Sequence, residues 1–320
     1  MAKEKGTSKC LRVFLGWRNG DTVASKAFYL ARACVAETVA TAIHVYLCLL
    51  CKMTDNLVAI ALVNGTSISF LAVAFGEISG AHMNPAISLS ICIAGRLPVL
   101  FFPCYVIAQL AGSIVGAIAA RIIVQPIPAP ITTDLVTGNH TMSMYMYIKG
   151  GTHHPEVGVD ILHAILAEAI ITAILTLTVL ISAVDREHKS PLAPLAIGFA
   201  VMNGIIANQK TTGGCMNPAR SFGPAVISMA YFPSVWDKHY IYWAGPMTGS
   251  IAATILYWII FASTTNREEY AVVPHRKGSP AGELEDSDEE GDDGHAIGLN
   301  MHTQTERTWG SRESSEGSLL

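Results

Sequence analysis

Six long apolar blocks constrain this chain more than any other feature. Each is long enough to supply the ~20 residues that a helix needs to cross the hydrocarbon core of a membrane. The blocks lie near 28–51, 56–78, 99–125, 160–184, 192–209 and 239–263. Helices buried in a large soluble core would carry charged faces at helical period, and these blocks carry almost none. Because 51% of the residues are hydrophobic and 14% are charged, we predict an all-α membrane protein with six transmembrane helices.

Basic residues are concentrated in the segment before the first span and are nearly absent from the long segment between the third and fourth spans. Residues 1–27 carry six of them: Lys3, Lys5, Lys9, Arg12, Arg18 and Lys26. The segment 126–159, between the third and fourth spans, carries Lys149 alone. Because basic segments tend to stay in the cytosol, we expect both termini to be cytosolic and 126–159 to be an outer loop.

The expected outer loop contains one glycosylation triplet, NHT, which begins at Asn139. This topology makes the triplet reachable, which favours a glycoprotein of the plasma membrane over one of an internal membrane. The triplet NGT at Asn64 matches the same pattern. It lies inside the second span, so we expect it to stay unmodified.

The chain contains an internal repeat. A shift of 133 positions lays GAHMNPAISLS (80–90) on GGCMNPARSFG (213–223), with six of eleven residues identical. Nearly the same offset recurs at Glu37 and Glu168, and at the GSI triplets of 112–114 and 249–251. Two halves of three spans follow, at about 28–125 and 160–264, and an odd number of spans gives them opposite orientations in the membrane.

Each copy of the repeated motif reads as the start of a short re-entrant helix. Asparagine suits the position just before a helix and proline suits the first helical position, as in Asn84-Pro85 and Asn217-Pro218. The apolar stretches that follow, AISLSICIAG and ARSFGPAVIS, are too short to span. We expect the two half-helices to meet near the midplane, with their positive ends and both asparagine amides facing one shared space. Such a path favours a small neutral molecule and repels a cation.

The chain resembles the aquaporins, the major intrinsic protein family, over roughly residues 28–264. The resemblance is carried by two Asn-Pro-Ala motifs in a chain of six spans, Asn84-Pro85-Ala86 and Asn217-Pro218-Ala219. It implies a right-handed helical bundle that assembles as a homotetramer with one pore in each subunit.

The resemblance also assigns roles to single residues. Glu37 and Glu168 look like the buried carboxylates that brace the loops before each half-helix, and Gln109 is similar to a family position in the third span. Arg220 aligns with the arginine that projects into the narrowest, outer part of the pore. A charge there is tolerated beside a water-filled path, where it repels cations.

The resemblance places four residues in the outer constriction: Asn64, Ile205, Gly214 and Arg220. Water-selective members carry an aromatic residue and a histidine at the first two of these positions, and this chain carries neither. Ile205 with Gly214 looks like the aquaammoniaporins and the plant tonoplast intrinsic proteins, whereas Asn64 departs from them because a histidine is usual there. The implied permeants are water, ammonia and hydrogen peroxide. Glycerol or urea is the alternative, and Ser221, where glycerol channels usually carry an aspartate, argues against it.

Two further residues are expected at the pore. His153, in GGTHHPE, has a spacing similar to a loop histidine that joins the filter in tonoplast members, and a histidine there would take a proton from ammonium at the mouth. The alternatives are a solvated pair with His154, or a metal site with His154 and Glu156 that lacks the spacing of a familiar ligand set. Cys215, two residues before the second motif, is expected to adjoin the pore and to make it sensitive to mercurials.

The last segment, 265–320, includes the acidic run ELEDSDEEGDD and is predicted to be a disordered cytosolic tail. Ser287, among acidic residues, fits an acid-directed kinase, and the terminal Ser318-Leu319-Leu320 fits a PDZ-type groove. Cys10, near basic residues, is a candidate for acylation.

Two other classes of protein compete with a channel. A coupled secondary transporter shares inverted repeats and broken helices, but it needs an ion-coupling site, and the buried charges are Glu37, Glu168 and Arg220. An enzyme would need a nucleophile with a base, a metal-ligand pattern or a phosphate-binding loop, and the sequence shows none of these. We therefore expect no cofactor, metal or nucleic acid, and water, small neutral solutes and membrane lipid as partners.

Overall fold

The computed structural model describes residues 23–125, 127 and 143–263, and eight helices of nine residues or more lie within them. They are α1 (Val23–Leu50), α2 (Leu57–Ser79), α3 (Pro85–Ile93), α4 (Phe101–Val124), α5 (Ile161–Val179), α6 (Ala193–Asn208), α7 (Pro218–Ser228) and α8 (Ile241–Leu256). Helical turns extend three of them, at Cys51–Thr54, Leu180–Val184 and Tyr257–Phe261. The predicted all-α fold is confirmed, and in each half two helices precede a short one and a further helix follows it.

Five helical segments in the described part of the chain are long and apolar enough to cross a membrane. They are Ala24–Thr54, Leu57–Ser79, Phe101–Val124, Ile161–Val184 and Pro233–Phe261. The block predicted at 192–209 forms α6, whose 16 residues cover about 24 Å at 1.5 Å per residue. Pro194 occupies its first turn and Gln209 caps its end. The six predicted segments are therefore all helical, but one is shorter than its apolar block suggests.

The two short helices begin as the motifs predict. Asn84 is the N-cap of α3 and its side chain accepts from the Ala86 amide, with proline in the first turn. Asn217 is the N-cap of α7 and accepts from the amides of Ala219 and Arg220. In both half-helices the asparagine side chain therefore accepts hydrogen bonds from first-turn amides that have no partner within the helix.

Glycines let the long helices pack in the same way in each half. A Cβ at Gly112 of α4 would lie 2.3 Å from the carbonyl oxygen of Thr38 on α1, and one at Gly249 of α8 would lie 2.1 Å from that of Ala169 on α5. Thr38 and Ala169 each follow one of the two repeated glutamates. The repeat therefore extends from the motifs to the helix crossings that hold Glu37 and Glu168 in place.

Several predicted features lie outside the described residues and stay predictions. These are the glycosylation triplet at Asn139, the sites at Cys10, Ser287 and Ser318-Leu319-Leu320, and most of the terminal segments 1–27 and 265–320.

Candidate pore and selectivity filter

Glu37, on α1, is a fully buried carboxylate that accepts four hydrogen bonds. Its Oε1 accepts from Ser79 Oγ (2.7 Å) and the His82 amide (2.9 Å), and its Oε2 from the Met83 amide (2.7 Å) and Gln109 Nε2 (2.8 Å). Buried carboxylates are tolerated when donors satisfy their oxygens. The carboxylate thereby holds the loop before α3 against α1 and α4.

Glu168, on α5, does the same in the second half. It is fully buried and accepts from Thr212 Oγ1 (2.6 Å) and from the amides of Cys215 (2.9 Å) and Met216 (2.8 Å). The geometry agrees with the bracing role that we assigned to both glutamates from the resemblance. That functional role stays a prediction.

Two tyrosines that no motif singled out complete the braces. Tyr105 donates its hydroxyl to the Ser79 carbonyl (2.8 Å), and Tyr242 donates to the Thr212 carbonyl (2.9 Å). The two tyrosines are 137 positions apart, the same offset as the repeated GSI triplets. A search for further matches at that offset would have found them.

The two motif asparagines are bonded across the repeat. Asn84 Nδ2 donates to the Met216 carbonyl (2.9 Å) and Asn217 Nδ2 donates to the Met83 carbonyl (2.8 Å). Both methionines have positive φ, 51° and 55°, a conformation that costs a non-glycine residue about 1–3 kcal/mol. Since each methionine amide is also bound by a buried glutamate, this strained backbone is held from two sides. The N-terminal ends of α3 and α7 therefore meet, as predicted.

One cavity of about 410 Å³ passes this meeting point. Both motif asparagines line it, and each amide nitrogen has a second hydrogen left for its contents. The cavity reaches Arg220 in one direction and Lys189 in the other. Arg220 lies near the segment before α5 and Lys189 lies beyond the end of α5, so the cavity runs along most of that helix.

Arg220 is almost fully buried, with 3% of its surface exposed. Its Nη1 donates to the Gly151 carbonyl (3.4 Å), and its Nε has no hydrogen-bond partner among the described residues. A buried guanidinium with an unused donor is expected to bind whatever fills the cavity.

Asn64 and Ile205 also line the cavity, but the Asn64 amide is bound within the protein. Its Oδ1 accepts from the Cys48 thiol (2.8 Å), and its Nδ2 donates to the Ile60 carbonyl (2.7 Å) and towards Cys51 Sγ (3.5 Å). Asn64 thus contributes less free hydrogen-bonding capacity than its residue type suggests.

Gly214 packs against α6 beside Ile205. A Cβ at this position would lie 2.7 Å from both the Gly204 carbonyl oxygen and Ile205 Cα, and the φ of Gly214 is 65°. Any side chain would therefore push the loop away from α6 and strain its backbone. The glycine is required by this close approach, which its place in the sequence did not reveal.

His153 is buried in the loop before α5, with 9% of its surface exposed. Its ring packs on Tyr242, with centroids 5.4 Å apart, lies beside Gly213, and its Nδ1 has no partner among the described residues. Burial lowers the pKa of His153 well below its ordinary range, and the charge of Arg220 lowers it further. A solvated position is therefore wrong for His153. The expected uptake of a proton from ammonium is also wrong, because the lowered pKa keeps the ring neutral at pH 7. The described residues also contain no cluster of three metal-ligating side chains.

Cys215 is buried and lines the cavity, and its thiol donates to the Asn217 carbonyl (3.1 Å). A mercurial is expected to react there and to block water flux, because the adduct would occupy the lumen beside the motif asparagine. Stopped-flow water flux with and without mercurial measures the block, and Cys215→Ser should remove it. Block that persists in Cys215→Ser but disappears in Cys48→Ser would place the reactive thiol on α1 instead.

The protein is a helical membrane bundle, and one cavity passes the point where two helix N-termini meet. This arrangement is typical of a pore-forming protein of the channel class. The family model described as Major intrinsic protein matches residues 23–257, and the chain therefore belongs to the major intrinsic protein family.

Individual relatives agree with this assignment. Mouse aquaporin-8 is 30% identical over 238 residues, which are 73% of this chain and 84% of the relative. Maize aquaporin TIP1-2 is 33% identical over 246 residues, 72% of this chain and 86% of the relative. The X-ray structure of the aquaglyceroporin from Plasmodium falciparum matches with a TM-score of 0.59 and 21% identity over 71% of this chain and 95% of that one, a likeness of fold alone. The chain is thus a multi-pass membrane channel for water and small neutral solutes.

Proposed function

We propose that the channel passes ammonia and hydrogen peroxide besides water, and that the cavity from Arg220 past both motif asparagines is the path. The crossed amides of Asn84 and Asn217 are the observation that carries this proposal. Each leaves one N–H for a permeant oxygen or nitrogen at the place where the positive ends of α3 and α7 meet. A neutral molecule with a lone pair is stabilised there, whereas a cation is repelled.

The proposed filter of Asn64, Ile205, Gly214 and Arg220 explains why water is not the sole permeant. Ile205 is apolar, Gly214 has no side chain, and the Asn64 amide is bound to α1 and to its own helix. Among these four residues Arg220 therefore supplies most of the polar contact, and none of the four has an aromatic ring that would narrow the opening. Glycerol and urea are the second candidates, since such a filter excludes them weakly by size.

Stopped-flow measurements on proteoliposomes test these permeants in one preparation. We expect water, ammonia and hydrogen peroxide to cross faster than through empty vesicles, with flux linear in the solute gradient. Saturable uptake driven by an ion gradient would indicate a coupled transporter instead. Glycerol or urea flux equal to that of water would make the second candidate function the better one.

His153 is proposed to extend the filter for ammonia. Because its pKa is lowered by burial and by Arg220, it acts as a neutral ring. His153 is not among the residues that line the cavity, so the proposal is that its unpartnered Nδ1 meets the solute beyond the end of the cavity, beside Arg220. His153→Ala is expected to lower the ratio of ammonia to water permeability about threefold, the effect of losing one modest hydrogen bond.

The same assay at several pH values checks the sign of this effect. A lowered pKa keeps the ring neutral from pH 8 to pH 6.5, so ammonia permeability, calculated per neutral ammonia, should stay constant over this range. His154→Ala, next to it and half-buried, is the matched control. An unchanged ratio in His153→Ala, or a fall in permeability near pH 7, would contradict the role.

The assembly, topology and location are also proposals. We propose a homotetramer in the plasma membrane with both termini cytosolic, a glycan at Asn139 and a cytosolic tail that follows the channel domain. An internal membrane is the alternative, given the similarity to TIP-type relatives. Cross-linking, glycosidase digestion and localisation of the tagged full chain measure each of these separately.

A further inference from the structure

His44, on α1, is a filter candidate that belongs to none of the sequence motifs. It lies seven residues after Glu37 and hence on the same face of the helix. It lines the same cavity as Arg220, Asn64 and Ile205, with 3% of its surface exposed. Arg220 is close enough for its charge to act on the His44 ring. A histidine is therefore present at the pore although Ile205 occupies the family's usual histidine position.

The contacts of Ser67 determine which nitrogen of His44 carries the hydrogen. Ser67 Oγ lies 2.7 Å from the Asn64 carbonyl oxygen, and two oxygen atoms this close need a hydrogen between them. The single hydroxyl hydrogen is therefore used, so Ser67 Oγ must accept from His44 Nδ1, 2.8 Å away. In a neutral ring with hydrogen on Nδ1, the Nε2 atom holds a lone pair.

Cys48 does not use that lone pair. Its sulfur lies 3.6 Å from both ring nitrogens of His44, but its one hydrogen is directed at Asn64 Oδ1, 2.8 Å away. Nε2 therefore remains free to accept a hydrogen bond inside the cavity.

Arg220, Ile205 and Asn64 do not offer a comparable acceptor. Arg220 carries donors alone and Ile205 is apolar. The amide oxygen of Asn64 already accepts the Cys48 thiol, which occupies one of its two lone pairs. Among the side chains of His44, Asn64, Ile205 and Arg220, His44 Nε2 is thus the acceptor to which no side chain directs a hydrogen.

We propose that His44 determines specificity in the filter, accepting a hydrogen bond from the permeant at Nε2 while Arg220 donates one, and that this pair favours hydrogen peroxide over ammonia. The proposal rests on the proposed permeants and refines them. Hydrogen peroxide is a stronger hydrogen-bond donor than water, and ammonia is a weaker one. An acceptor nitrogen in the filter therefore stabilises passing peroxide most and ammonia least.

Proteoliposome fluxes of peroxide and ammonia test this in the full chain. His44→Phe keeps a ring but removes the acceptor, and should lower the ratio of peroxide to ammonia permeability about fivefold, the effect of one lost hydrogen bond. His44→Gln keeps an acceptor oxygen and should preserve the ratio within about twofold. Ser67→Ala removes the group that holds the hydrogen on Nδ1, and should lower the ratio by an intermediate amount.

The outcomes separate this proposal from the one on which it rests. Wild-type flux of both solutes with an unchanged ratio in His44→Phe overturns the role of His44 alone. An equal fall in His44→Gln and His44→Phe, or an unaltered ratio in Ser67→Ala, contradicts the acceptor and its assigned hydrogen. Wild-type vesicles that pass water but neither solute overturn the proposed permeants as well.

Discussion

Glu168→Ala is expected to lower water permeability at least about tenfold and to reduce the thermal stability of the purified protein. The change removes the acceptor for Thr212 Oγ1 and for the amides of Cys215 and Met216. Each buried donor left without a partner costs about 1–3 kcal/mol. Glu168 also holds Met216 in its strained backbone conformation, with φ 55°. Without the carboxylate, we expect Met216 to relax and its carbonyl to move away from Asn84 Nδ2, which donates to it.

Stopped-flow water flux and a thermal unfolding curve measure the two effects of Glu168→Ala. Glu156→Ala changes an exposed carboxylate in the same half of the chain and is the matched control. Glu168→Gln should be intermediate, because one amide oxygen still accepts while the amide nitrogen faces a donor. Wild-type flux and unfolding temperature in Glu168→Ala would show that the carboxylate does not hold the loop.

Arg220→Ala is the second large effect, and it concerns ions. Removing the guanidinium should raise proton or monovalent cation leak roughly thirtyfold. The charge of Arg220 repels a passing cation about 8 Å away by about 2 kcal/mol at an effective dielectric constant of about 20, and the variant loses this repulsion. Water permeability should change much less, since the lumen near both asparagines keeps its donors.

The leak is measured as decay of an imposed pH or potassium gradient in proteoliposomes. Lys238→Ala removes an exposed charge near the start of α8 and should leave the gradient intact. Gradient decay at the wild-type rate in Arg220→Ala, with normal water flux, would assign cation exclusion to the meeting ends of α3 and α7 instead.

The agreement between sequence and structure is closest where a feature depends on neighbouring residues. Asn84 and Asn217 start helices because an asparagine side chain caps the amides that immediately follow it, and proline suits the first turn. The helices follow from the apolar blocks, although the block at 192–209 extends beyond both ends of α6. The offset of about 133 residues predicted that the two halves share one plan, and the paired contacts of Glu37 and Glu168 follow it.

The sequence by itself thus determined the helices, their repeat and the family, since capping, apolar length and spacing act over short stretches of chain. Tertiary structure alone decided that Asn84 and Asn217 donate to methionine carbonyls more than 130 residues away, that the Asn64 amide is bound to Cys48, and that His44 enters the pore. In an interior without bulk water, each polar group must take the partner that packing brings to it. That partner is set by the crossing of distant helices, and so a residue type at a known filter position does not predict what the position offers a permeant.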